Sequence, residues 1–142
     1  MRVLVDTSVW SLALRRKAAD LNPEERQIVV EWSDLVRDGR VQIIGPIRQE
    51  ILSGIRDRGQ FEALQRRLSA FPDTQIKTAD YVQAARFFNL CRKEGVTGAP
   101  IDLLICAVAH RFGWPIFSRD DDFNRYAGLL PVRLHKAAPV ER

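Results

Sequence analysis

The stretch Arg2-Val3-Leu4-Val5-Asp6-Thr7-Ser8-Val9-Trp10-Ser11-Leu12-Ala13-Leu14 decides the fold. Val3 to Val5 is a short, uniformly apolar run that ends in an acid. Thr7 and Ser8 are good helix N-cap residues ahead of a second apolar segment, so the predicted order is strand, turn, helix. A strand apolar on both faces suits the buried centre of a parallel sheet better than the half-solvated strand of a hairpin.

Working outward, Pro23 opens a helix in which Ile28, Val29, Trp32, Leu35 and Val36 keep helical spacing, and Gly39 is placed to end it. Val41 to Ile44 reads as a second short strand, stopped by Gly45 and Pro46. Further helices are predicted from Pro46 with Ile47, Ile51 and Ile55, then through Phe61, Leu64 and Leu68. Asp80 to Glu94 reads as one long helix with Val82, Ala85, Phe87 or Phe88, and Cys91 inward. Pro100 opens a helix that is apolar on every side and is closed by Gly113. A strand within Trp114 to Ser118 follows, and Pro131 to Leu134 reads as a last edge strand. Short strands alternating with helices predict an α/β fold with a central parallel sheet and helices on both faces. The domain is expected over residues 1–135, with residues 136–142 as a loose tail.

The chain has 142 residues, 22 Lys and Arg against 18 Asp and Glu, and a net charge of +4, which fits one domain. Hydrophobic residues at 46% and charged residues at 28% exclude a disordered, collagenous or low-complexity chain. No apolar run approaches a membrane span, and no signal peptide is read at the start. Two cysteines, Cys91 and Cys106, are too few for a disulfide framework and fall in helical segments, which points to a cytoplasmic protein. Zinc is discounted, because only His110 and His135 stand beside them as soft ligands. A pI near 9.5 permits an acidic partner such as nucleic acid.

In a doubly wound sheet, ligands bind beyond the carboxyl ends of the strands. Asp6 ends the first strand and Asp120 follows the strand at Ile116 to Ser118, so both belong to that edge. Asp6 also reads as a cap for the helix after it. Asp102 is the only charged residue from Ala99 to Ala109, and an ionised carboxylate there needs a partner or a metal to offset the cost of burial. Glu50 lies about 60 degrees around its helix from Ile47 and is expected to be half buried, either functional or paired with Arg48 or Arg56. Asp120, Asp121 and Asp122 repel one another unless a cation is shared among them. Asp120 is the first choice to point inward, Asp122 the second, and Asp121 faces solvent. Converging carboxylates without His or Cys favour Mg2+ or Mn2+ and suit phosphodiester cleavage by an activated water. Thr7 and Ser8 are placed to hold that water or a phosphate oxygen.

Val5-Asp6-Thr7-Ser8, Glu50 in the third helix, Pro100-Ile101-Asp102, and Ser118-Arg119-Asp120-Asp121-Asp122-Phe123 occur together in this order. With these motifs the chain resembles PIN-domain ribonucleases, most closely the VapC-like toxins of type II toxin-antitoxin modules, up to about His135. The resemblance implies a three-layer α-β-α fold and a Mg2+ or Mn2+ dependent endoribonuclease. It places Asp6, Glu50, Asp102 and Asp120 at the acidic catalytic positions, with Asp6, Asp102, Asp120 and Asp122 about the metal and Thr7 or Ser8 as the supporting hydroxyl. It also implies an RNA substrate, a cognate VapB-like antitoxin that inhibits the toxin, and a homodimer. Basic residues at Arg15-Arg16-Lys17 and Arg119 are the cations expected to hold RNA backbone. Trp10 and Phe123 offer base-stacking surfaces, with burial the plainer expectation.

Two rivals stand beside this reading. A haloacid-dehalogenase-like phosphotransferase would use Asp6 as nucleophile but needs a second Asp where Ser8 stands. A catalytically silent PIN-like module would bind RNA or protein without turnover.

Overall fold

Val3–Val5 forms β1, and all three side chains are fully buried, each contributing roughly 1.5–3 kcal/mol by leaving water. The structure is a computed structural model and describes residues 1–137. β1 is the centre of a three-stranded sheet in the order β2-β1-β3, with β2 at Val41–Gln42 and β3 at Ile116–Phe117. Both pairings are parallel, with Val3 opposite Val41, Leu4 opposite both Gln42 and Ile116, and Val5 opposite Phe117. A parallel sheet buried on both faces is what the unbroken apolar run requires.

The helices are α1 (Thr7–Arg15), α2 (Pro23–Arg37), α3 (Gly45–Leu52), α4 (Arg58–Leu68), α5 (Thr78–Lys93), α6 (Pro100–Phe112) and α7 (Asp122–Leu129), with a 3-10 turn at Ala18–Asp20. The helices flank the sheet, and their inner residues join the strands in one core. Trp10 fills its centre, donating its indole N–H to the Val5 carbonyl at 3.0 Å and meeting Trp32 and Phe71 edge to face. Leu103 to Ala109 of α6 are all buried, and Gly113 stops that helix in the left-handed conformation at φ 69°.

Two buried acids brace the fold. Glu25 completes a capping box with Asn22 at the start of α2. Asp80, near the start of α5, accepts two 2.8 Å bonds from Arg111 near the end of α6, so the two helices lie antiparallel and cannot slide.

Several boundaries differ from the sequence reading. The α1 cap is Asp6, as one reading of that residue had it, accepting from the Ser8 N–H, whereas Thr7 and Ser8, read as cap residues, are already helical. Strand β2 stops at Gln42 because Ile44 caps α3 at once. Ile43 then makes only a single bridge, to Asp73. Ile55 lies past the end of α3 and Val82 is exposed on α5, where Phe87 and Cys91 are the buried apolar residues. Pro131 to Leu134 gives one bridge, from Leu134 to Ile116, in place of a strand. The expected tail falls on residues of which 138–142 lie outside the described ones. Among the described residues no helix is long and apolar enough to cross a membrane.

Candidate active site

Asp6 sits where β1 passes into α1 and is 6% exposed. Its Oδ2 accepts from the Ser8 hydroxyl and the Ser118 hydroxyl, both at 2.8 Å, and from the Ser8 N–H at 3.4 Å. These three donors fix the carboxylate in one orientation while it caps α1, so the cap and the site are the same side chain. The Ser118 hydroxyl also accepts the Asp120 N–H at 3.0 Å, which ties the turn after β3 to the end of β1. Within that turn Asp120 Oδ1 accepts the Asp122 N–H at 3.0 Å. The turn is thereby folded so that Asp120 and Asp122 share a side; contrary to the expected order Asp120 is exposed, like Asp121, and Asp122 is the half-buried one.

Asp102 enters from the first turn of α6. Oxygen atoms of Asp102, Asp120 and Asp122 all lie within 4.8 Å of one another. Tyr126, buried on α7, donates its hydroxyl to Asp102 Oδ2 at 3.0 Å and accepts the Ala99 N–H at 3.4 Å. Burial pushes the Asp102 carboxyl up to about 6, against the Tyr126 hydrogen bond, and the charges of Asp6, Asp120 and Asp122 push it the same way. Burial and the neighbouring Asp102 charge raise the Tyr126 hydroxyl, which keeps it a donor. The one cation paired to the three carboxylates among the described residues is Arg125, on Asp122. Oxygen donors held this close, with a half-buried member that resists ionising, suit a hard divalent cation. Thr7 Oγ1 is buried without a hydrogen-bond partner, an orphan that a bound water or substrate oxygen would satisfy.

The remaining predicted residues are placed less centrally. Asp6 neighbours Asp102 closely enough to raise its pKa but lies outside the three-residue group. Glu50 is exposed on α3, contrary to the half-buried expectation. Arg48 does not pair with it, because that guanidinium is taken by Asp73 at 3.0 Å and by the carbonyls of Leu68 and Phe71. The Ser8 hydroxyl is engaged within the protein, donating to Asp6 and accepting the Arg119 N–H at 3.1 Å. Trp10 and Phe123 are buried, which removes them as base-stacking surfaces. Sequence reasoning assigned no role to Ser118, Tyr126 or Glu25. Ser118 was visible as the hydroxyl before Arg119-Asp120, whereas nothing in the spacing ties Tyr126 to Asp102.

Gly98 is set by close packing. A Cβ there would run into the Leu103 Cδ2 methyl and stand 3.3 Å from Tyr126 Cε1. Leu103 is buried and has little room to yield. Gly98→Ala is therefore expected to cost roughly 1–3 kcal/mol in stability and to disturb the Tyr126–Asp102 bond, as checked by urea denaturation beside an activity assay.

A parallel sheet whose carboxyl edge gathers four aspartates defines an α/β protein with an acidic, cation-type site. Residues 3–129 match the family described as PIN domain, and the chain belongs to that family. Its curated relatives include VapC ribonuclease Mb1587 of Mycobacterium bovis and ribonuclease VapC11 of Mycobacterium tuberculosis. Each is 33% identical over 133 residues, covering 92% of this chain and 96% of the relative. Among solved structures, FitAcB from Neisseria gonorrhoeae aligns with a TM-score of 0.74 at 19% identity, over 95% of this chain and 97% of that one. VapBC2 from Rickettsia felis, bound to a DNA fragment from their promoter, aligns at 0.72 and 12%, over 95% and 98%. At these identities the two structures speak to the fold alone.

Proposed function

We propose that this protein is a metal-dependent endoribonuclease toxin that hydrolyses RNA phosphodiester bonds and is held in check by a cognate VapB-like antitoxin. The observation that carries the reading is the gathering of Asp102, Asp120 and Asp122 oxygens beside the fixed carboxylate of Asp6, in a chain 33% identical to VapC ribonucleases. The antitoxin belongs to the VapC reading that the 33% identical relatives support. A homodimer and a cytoplasmic location belong to the same reading.

Asp6, Asp102 and Asp120 would hold Mg2+ or Mn2+, with Asp122 at the margin because Arg125 competes for it. When bound, such an ion acts as a Lewis acid toward the phosphate and lowers the pKa of a water. The chain's own groups then have defined tasks. Ser8 and Ser118 keep Asp6 turned one way, and Tyr126 does the same for Asp102. Thr7 would supply its hydroxyl to the attacking water or a phosphate oxygen once a local shift uncovers Oγ1, which is buried and unpartnered among the described residues. Glu50 stands on α3, which leaves the carboxyl end of β2, and makes no ion pair among the described residues. In this reading Glu50 ligates the ion or acts as the general base toward the attacking water.

A cation that binds here must displace the Asp102 proton, so its affinity rises as pH increases through about 6. Mn2+ or Mg2+ is expected to raise the melting temperature strongly at neutral pH and weakly well below 6, measured by differential scanning fluorimetry. An equal shift at both would place the cation away from Asp102.

A further inference from the structure

Glu25 is buried, yet its role in the helix cap uses only half of it. Oε1 accepts the Asn22 N–H at 3.0 Å, which completes the capping box. Oε2 gathers two guanidinium groups, Arg119 Nη1 at 2.9 Å and Arg16 Nη1 at 3.7 Å. The Asn22 N–H holds the Glu25 carboxyl below its ordinary range, and Arg119 and Arg16 outweigh with it the opposing effect of burial. A capping box needs no arginine. Two arginines on one carboxylate leave one excess positive charge, and the charges of Arg15 and Asp120, which share the cavity with them, offset one another. Both guanidinium side chains keep substantial exposure, 47% for Arg16 and 36% for Arg119.

These groups converge on a cavity of about 530 Å3 lined by Ser8, Arg15, Arg16, Arg119 and Asp120. Asp120 therefore belongs both to this cavity and to the acidic cluster. The Arg119 backbone is pinned by its N–H bond to Ser8, so its side chain starts from a fixed point. A cluster of carboxylates repels a polyanion unless cations flank it, and the planar guanidinium fork matches phosphate oxygens two at a time.

We infer that Arg16 and Arg119, held in place by Glu25, form a subsite for the RNA backbone phosphate next to the one presented to the acidic cluster. The inference rests on the ribonuclease reading above and adds Glu25 to it as a positioning residue. RNA is favoured over an acidic peptide because the cavity opens directly on Asp120, so a strand engaged at the acidic cluster passes these cations.

The test is binding of a short fluorescein-labelled single-stranded RNA of mixed sequence, by anisotropy over a salt series in EDTA, in an Asp6→Asn background that cannot cut. Arg16→Ala and Arg119→Ala should each weaken binding about tenfold and flatten the dependence of log affinity on log salt by about 0.7. Glu25→Gln keeps an oxygen for the capping box and removes a negative charge. Loss of positioning predicts weaker binding with an unchanged salt slope, whereas simple charge predicts tighter binding. Tighter binding by Glu25→Gln would overturn its positioning role. Arginine variants that bind RNA like their parent would overturn the subsite and leave the ribonuclease reading standing. If the same variants lost only the cognate antitoxin, the surface would belong to that protein instead. Failure of the parent to bind any RNA would remove the reading and the inference together.

Discussion

Asp102→Asn is expected to lower kcat/KM for RNA cleavage by about a thousandfold or more and, at the same time, to stabilise the metal-free protein near neutral pH. The two effects have one cause. Asp102 is a half-buried member of the acidic group, and desolvation with the neighbouring Asp6, Asp120 and Asp122 charges pushes its carboxyl up to about 6 from an ordinary 3.8. A folded-state value raised above the unfolded one means that folding favours the protonated form. The stability this group contributes is present below about 4 and is lost as pH rises through 6. Asn cannot ionise, so the variant escapes that loss, and its amide oxygen can still accept the Tyr126 hydroxyl. Cleavage suffers because the removed charge is the one a divalent cation repays. Thermal unfolding in EDTA at two pH values, beside a cleavage assay, checks both halves. Equal melting temperatures near neutral pH would mean that Asp102 is not under electrostatic strain in the metal-free protein.

The largest loss of stability is expected from Asp80→Ala, about 2 kcal/mol, because a buried carboxylate that takes two charge-assisted hydrogen bonds from the more exposed Arg111 is removed. Asp80 is 2% exposed and holds Arg111 through two oxygens. Arg111 also donates to the Gln75 carbonyl and lies over the Phe112 ring, so it stays in place and turns to solvent for the contacts it loses. Asp80 further accepts the Lys77 N–H, and that cap of α5 is lost too. Burial alone would raise the Asp80 carboxyl, but Arg111 and the Lys77 N–H more than reverse this and hold it low. A depressed value gives stability that is present above about 4 and disappears as pH falls through the folded value. The gap between the variant and the parent should therefore be full at neutral pH and close in acid, as read from urea denaturation at several pH values. The pair sits at the end of α6 remote from Asp102, so the same variant is expected to reduce cleavage through loss of helix register.

Much of this architecture was legible in the chain because its signals are local. Val3 to Val5, the capped start of α2 and the Pro100 to Gly113 segment each carry their own beginning and end, and the structure keeps them within a residue or two. The lengths of β2 and β3 were overestimated, since a strand in this sheet needs only the residues that meet β1, and helices claim the rest. Asp6, Asp102 and Asp120 stood out as acids where hydrophobic residues or turns were due. Their contacts came from three separate elements, which no spacing records. Tyr126 illustrates the limit: its bond to Asp102 joins α7 to α6. Glu25 illustrates another, since its capping role hides the second oxygen that faces Arg16 and Arg119. Glu50 was expected half buried and is exposed, and Arg48, one of the two arginines considered as its partner, is taken by Asp73 and two carbonyls.

The most direct test of the central claim is cleavage of a mixed pool of structured and unstructured RNAs by protein free of any partner, with Mg2+, Mn2+ or EDTA, beside Asp6→Asn. Asn is as good an N-cap as Asp, so the variant keeps the start of α1 and changes only the charge at the site. The account predicts cuts that require the metal and vanish in the folded variant. Cuts that persist in EDTA or in Asp6→Asn would contradict it.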